Sequence, residues 1–189
     1  MLLYLIFAHL LGDFILQPSK LVLWKSKSIK GTFVHASIHF LVTVLVLLPF
    51  IINGYTELIF IAFGLAFVHF WIDEAKINYD LKHDKKVYPF LVDQFMHLIT
   101  ITGAYLMIRH IQFELPVGKF YAIYGEPKLI MFLAFLVIVT TVMEVYHLQR
   151  ERERNRFIKM RVNSEKMLSR IIIFSILYSI FFVLNFYLG

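Results

Sequence analysis

Read as hydrophobic and polar positions, the chain is a series of long apolar runs separated by short charged stretches. Runs of membrane-crossing length cover about residues 2–18, 32–53, 57–77, 88–109, 126–147 and 167–188, judged against the ~20 residues a helix needs to span a bilayer. Turn signals punctuate them: Pro18 closes the first, Pro49 lies near the end of the second, Asn53-Gly54 makes the next turn and Pro89 opens the fourth. The sixth, IIIFSILYSIFFVLNFYL, contains no charge. The pattern predicts one all-α domain, residues 1–189, an integral membrane bundle of about six transmembrane helices. Neither an internal repeat nor a low-complexity segment interrupts it.

Polar residues recur inside these runs with a helical period. The stretch HLLGDFILQP places His9, Asp13 and Gln17 at successive four-residue steps, a single stripe on a helix. The second run begins FVHASIHF, with His35 and His39; the third ends FVHFWIDEAK, with His69 and Asp73; the fourth begins FLVDQFMHL, with Asp93 and His97. Each of the first four helices thus carries one His/Asp pair on one face, and the last two carry none. Consecutive spans run in opposite directions, so pairs at the ends of spans one and three and at the starts of two and four share one depth. At ~1.5 Å per residue they form two layers: Asp13, His35, Asp73 and Asp93 nearer the membrane surface, and His9, His39, His69 and His97 about one turn deeper.

Charge orients the bundle. Lys20, Lys25, Lys27 and Lys30 follow the first span; Lys76, Lys82, Lys85 and Lys86 follow the third; Arg150, Arg152, Arg154, Arg156, Lys159, Arg161, Lys166 and Arg170 follow the fifth. The opposite face has only Arg109, Lys119 and Lys128. The positive-inside rule makes the basic face cytoplasmic, which places both termini on the extracytoplasmic side and the His/Asp pairs in the cytoplasmic half. The basic 148–170 segment then reads as a loop resting on anionic lipid headgroups, not as a nucleic-acid surface. IQFELPVGKFYAIYG reads as an interfacial loop with its aromatic rings at headgroup level.

Composition agrees. The 189 residues are 59% hydrophobic with 20 Phe and a mean hydropathy of +0.71, too apolar for a soluble domain of this size. The absence of cysteine excludes disulfides, thiolate ligands and a Cys nucleophile. MLLYLIF lacks a basic n-region and no small-residue cleavage site follows, which predicts a retained helix in place of a signal peptide.

An ionised Asp at membrane depth costs ~2.5–3.5 kcal/mol on insertion scales, and three close together also repel. Bound cations relieve both costs. Imidazole and carboxylate are ligands for Zn above all, and for Mn or Fe, and bundles build metal sites from pairs on facing helices. His9, Asp13, His35, His39, His69, Asp73, Asp93 and His97 are therefore candidate ligands for one or two divalent ions. Two ions with a bridging hydroxide match the charge of three Asp; one suffices if some of the eight only orient others. Asp13, Asp73 and Asp93 are also the candidate catalytic bases. Other readings stay open: histidines hydrogen-bonded between helices, haem ligation, or a proton or cation pathway.

Lower-grade candidates flank the eight. Gln17 continues the first stripe toward the surface and Lys76 lies three residues past Asp73. Both are candidate substrate contacts, with interfacial solvation and snorkelling as the alternatives. Gln94, ~100° around the helix from Asp93, is expected to face a different partner. Glu144 and His147 have the Glu-x-x-His spacing of di-iron bundles but lie shallower, and read as a ligand, a general base or an interfacial pair.

HLLGDFILQP, HASIHF, HFWIDEAK and DQFMHL, in this order, resemble the motif series of a bacterial membrane family, domain of unknown function 3307, over roughly residues 5–105. The resemblance implies a multi-pass protein of the bacterial inner membrane. A looser similarity to membrane-bound metal-dependent hydrolases implies hydrolytic chemistry. The function expected from the residues is a metal-dependent hydrolase or transferase, open to the cytoplasm, that polarises a phosphoryl or acyl oxygen. Its substrate is expected to be a lipid or lipid-linked molecule, because the site lies below the headgroups beside basic loops. The alternatives are a transporter or channel for divalent cations or protons, and a haem-binding electron-transfer protein.

Overall fold

The computed structural model describes residues 1–84, 86–155 and 164–188, excepting the side chains of 164–166 and 181–188. Of the basic positions above, Lys85, Arg156, Lys159, Arg161 and the Lys166 side chain lie outside what is described. Helix α1 (Leu2–Leu10) continues as a π-helical turn, Leu11–Ile15. The chain then breaks, and α2 (Ser19–Lys25) leaves at 91°. Helices α3 (Ile29–Ile52), α4 (Glu57–Lys82) and α5 (Val87–Ile108) follow. A short α6 (Lys119–Tyr124) precedes α7 (Pro127–Val137), which passes through a second π-helical turn, Ile138–Val142, into α8 (Met143–Arg154). Helix α9 runs from Ser164 to Leu188.

Among the described residues, four helices are long and apolar enough to cross a membrane: α3, α4, α5 and the rod formed by α7 and α8. The first predicted span is a bent pair, which meets the same test only with α1 and α2 taken together. Pro18 explains where it breaks, since proline offers no N–H to the preceding turn. In the sixth predicted span, α9 is 25 residues long and its described side chains form the apolar stretch Met167–Ile180; those on either side lie outside the described residues. Local signals mark the other ends. Ser28 Oγ accepts from the Lys30 N–H at 3.3 Å to start α3, Pro127 occupies the first turn of α7, and Gly54 takes φ +106° between α3 and α4.

Burial is inverted relative to a protein packed against water. Thr32, His35, His39, Thr43, His69, Asp73, Asp93 and His97 are buried, while Phe33, Leu45, Phe60, Phe63, Trp71 and Phe95 are each more than half exposed. That distribution suits helices whose surroundings are hydrocarbon. Helix α1 is central, against α3, α5 and α7, and α9 packs on α7 and the second π-helical turn.

The end where α1 begins is closed by Tyr4, Leu5, Leu47, Phe50, Leu58, Ile101, Ile108 and Ile130. The connection after α5 is tied onto it. Tyr4 Oη donates to the Tyr124 carbonyl at 2.8 Å, Tyr124 Oη donates to the Val46 carbonyl, and Asn53 Nδ2 donates to the Glu114 carbonyl at 3.1 Å. The aromatic loop expected at headgroup level is therefore partly turned inward: Phe113 and Tyr124 pack against Phe50, and Phe120 remains exposed.

Candidate metal centre

The four His/Asp pairs meet at the opposite end, around Asp13. His35 Nε2 and His39 Nε2 lie 3.1 and 3.0 Å from Asp13 Oδ1, His69 Nε2 lies 3.6 Å from the same oxygen, and His9 Nε2 lies 3.5 Å from Asp13 Oδ2. Asp73 faces His35 at 3.6 Å, His69 at 3.7 Å and His97 at 3.9 Å; Asp93 faces His97 at 3.4 Å. The His39 and His69 rings stack with centroids 3.7 Å apart, and His69 and His97 at 4.1 Å. The two depths expected from the spacing are visible. His9, His39, His69 and His97, together with Thr43 and Thr100, line a cavity of about 20 Å³, and none of the shallower four does.

Local backbone explains how Asp13 reaches the middle. A π-helical turn shifts the register of α1, a distortion that recurs at functional sites. It also brings Gly12 against α3: a Cβ there would stand 2.5 Å from His39 Cε1, so the imidazole rests directly on backbone. Gly31 acts similarly, since its Cβ would stand 2.5 Å from the Lys25 backbone nitrogen. The end of α2 is thereby folded against the start of α3.

That fold-back delivers a residue not singled out in the sequence as part of the site. Lys25 Nζ lies 2.7 Å from Asp73 Oδ2. Lys76 turns inward to Asp93 Oδ2 at 2.9 Å, its Nζ 5.7 Å from the Phe90 ring centroid. Gln94 does not face elsewhere: its Nε2 donates to Asp13 Oδ2 and Asp93 Oδ2, each at 3.1 Å. Gln17 lies past the end of the first helix, not on its stripe, and its Nε2 is 2.8 Å from His35 Nε2. Glu144 pairs with Arg170 of α9 at 3.1 Å, and neither Glu144 nor His147 belongs to a ligand grouping among the described residues.

The donor set fits a metal ion. Three groups have ligand atoms within 4.8 Å of one another: His9, Asp13, His39 and His69; His35, His69 and Asp73; and Asp13, Asp93 and His97. Ligands at ~2.1 Å from a tetrahedral ion stand roughly 3.4 Å apart, near the 3.0, 3.5 and 3.6 Å separations around Asp13. His9 Nε2, His69 Nε2, His97 Nε2 and Asp93 Oδ1 are buried without a hydrogen-bond partner among the described residues. Orphaned buried nitrogen and oxygen atoms facing one another are costly unless something binds them. The groups share Asp13 and His69, so they cannot all be filled at once. The two lysines also supply two of the three positive charges that the Asp residues require, which removes the charge argument for a second ion.

Fold and site together define a class: a chain helical throughout its regular described structure, with four helices among the described residues capable of crossing a membrane and a buried His/Asp cluster at one end of them. Within that class, the chain belongs to the family of proteins of unknown function DUF3307, whose sequence profile matches residues 1–118. The match contains all eight His/Asp residues, Gln17, Lys25, Lys76 and Gln94, and stops before α6. No curated protein and no solved structure matches the chain.

Proposed function

We propose that this protein is an intramembrane metal-dependent hydrolase or transferase of the bacterial inner membrane, with six spans, both termini outside and its site open to the cytoplasm. The observation that carries the reading is the pair of imidazole nitrogens, His9 Nε2 of α1 and His69 Nε2 of α4, that face Asp13 without a hydrogen bond among the described residues. The ion is one divalent cation, zinc first and manganese or iron next, which three of Asp13, His9, His39 and His69 would hold, the remaining position staying open to water or substrate. When bound, it supplies Lewis-acid polarisation of a phosphoryl or acyl oxygen and a water acidified for attack. His35, His97 and Asp73 orient the ligands, in the manner of hydrogen-bonded groups behind a metal site. Asp93, whose Oδ1 faces His97 Nε2 at 3.4 Å, holds or takes a proton. The substrate is a lipid or lipid-linked molecule reached beside the basic loops, which themselves lie against anionic headgroups.

Two features favour an enzyme over the alternatives. Beyond the cavity, Leu5, Leu47, Leu58 and Ile101 close the bundle with packed apolar side chains, which opposes a through-path for cations or protons. Imidazoles stacked at 3.7 and 4.1 Å leave no slot for a porphyrin between them. Elemental analysis of protein purified without chelator or poly-His tag tests the metal, with one divalent ion per chain expected and a metal-free protein contradicting it. Cytoplasmic thiol labelling tests the topology. Cysteines placed at 20–30 and 78–84 should react and those at 112–124 should not; the reverse pattern overturns the orientation.

A further inference from the structure

The two buried lysines have capacity that their carboxylate partners do not use. An ammonium carries three N–H donors. Among the described residues, Lys25 gives one to Asp73 Oδ2 at 2.7 Å and Lys76 gives one to Asp93 Oδ2 at 2.9 Å. Their side chains retain only 11% and 22% of their exposure, too little for full hydration of the remaining donors. They reach the site from separate elements, α2 and α4, and both end on carboxylates that do not line the cavity. Each is held by charge, with two donors left to offer.

We infer that Lys25 and Lys76 form a clamp for a phosphate oxyanion, so that the substrate class of the centre is a phosphoester. The inference rests on the metal reading above. Three Asp, two Lys and one divalent cation leave a single positive charge in a low-dielectric site. A phosphodiester or a phosphate monoanion neutralises that charge and brings several acceptor oxygens for the unused N–H groups. A hydroxide balances the charge but brings a single acceptor atom for the unused N–H groups of two lysines. A neutral carboxylic ester does neither. Phosphoryl chemistry therefore fits the clamp where acyl chemistry does not. The phosphate can come from a lipid headgroup or from a soluble molecule, and α2 with its exposed Leu23 and Trp24 sits where a headgroup would arrive.

The test uses the full chain in a neutral maltoside detergent, loaded with zinc, and reads binding by titration calorimetry with zinc content measured on the same samples. The probes are dihexanoyl phosphatidylglycerol, inorganic phosphate and, as an acyl ester without phosphate, dihexanoylglycerol. Lys25→Met and Lys76→Met should each weaken phosphate binding roughly ten-fold, about one charge-assisted hydrogen bond, and the double variant should abolish it. Both single variants should keep zinc, because the carboxylates they unpair, Asp73 and Asp93, are not among its ligands. Zinc retention also shows that the variants fold. Lys76→Arg should preserve binding. Preference for the lipid probe over inorganic phosphate supports the clamp with a headgroup as source; the opposite preference supports it with a soluble one. Undiminished phosphate binding in zinc-loaded Met variants, or binding of dihexanoylglycerol alone, overturns the clamp. Lysine-dependent phosphate binding in a protein that takes up no zinc overturns the metal reading and keeps the clamp; loss of both overturns both.

Discussion

The two ends of the bundle are built by the same helices and differ in what they leave unfinished. Where α1 begins, Leu5, Leu47, Leu58 and Ile130 are at most 1% exposed, and the hydroxyls of Tyr4 and Tyr124 both donate to backbone carbonyls. Further along the same helices, His35 and His97 are just as buried, at 0% and 1%, yet the cluster contains three imidazole nitrogens and a carboxylate oxygen without hydrogen-bond partners among the described residues. The first end is complete as packing. The second is buried at a cost, and the proposed ion is what would offset it. Burial alone does not separate structure from function here; the unpartnered atoms do.

Asp13→Asn should break that contrast most severely. One carboxylate faces four imidazoles, and the amide cannot ligate comparably, so bound metal should fall to background while the protein stays in the membrane. Normal metal content in this variant would remove Asp13 from the centre. Leu47→Ala at the finished end should do the opposite. Stability against unfolding should fall by about 2–5 kcal/mol through the cavity created, with metal per folded chain unchanged. A coupled loss of metal would mean that the two ends are not independent.

Gly12→Ala sharpens the comparison with a single methyl group. The added Cβ collides with the His39 ring, and metal affinity should drop roughly 10–100-fold, the range seen when a group that positions a ligand is lost. Gly64→Ala is the matched control, since nothing lies within 4 Å of its Cβ. It should leave metal unchanged and raise helix stability by roughly 0.5–1 kcal/mol. Equal effects of the two substitutions would sink the account of Gly12. Gln17→Ala should be the mildest site variant: it removes a contact to His35, keeps the metal, and changes its affinity less than ten-fold. Loss of metal as large as in Asp13→Asn would make Gln17 a ligand.

The four i,i+4 pairs and their common depth were legible because a helix repeats every ~3.6 residues and antiparallel spans share their ends. What escaped the reading depends on departures from that period. The π-helical turn at Leu11–Ile15 and the bend after it take Gln17 off the stripe without taking it from the site. Gln94 was assigned to another face because only its helical angle was considered; its side chain reaches sideways to two carboxylates. Lys25 meets Asp73, 48 residues away, because α2 folds back, and Gly31 beside it is the one local sign of that close approach. The spacing of Glu144 to His147 left ligand, base and interfacial readings open, and the contact that engages its carboxylate, Arg170 of α9, lies 26 residues away.

The central claim is that the cluster around Asp13 holds its ion through imidazole. X-ray absorption at the edge of the bound metal, on wild-type protein free of a poly-His tag, tests this most directly. The account predicts a nitrogen and oxygen shell at about 2.0–2.1 Å with the outer-shell scattering of several imidazole rings, lost together in Asp13→Asn. An oxygen-only shell without imidazole scattering, unchanged by that substitution, would place the ion elsewhere and contradict the site.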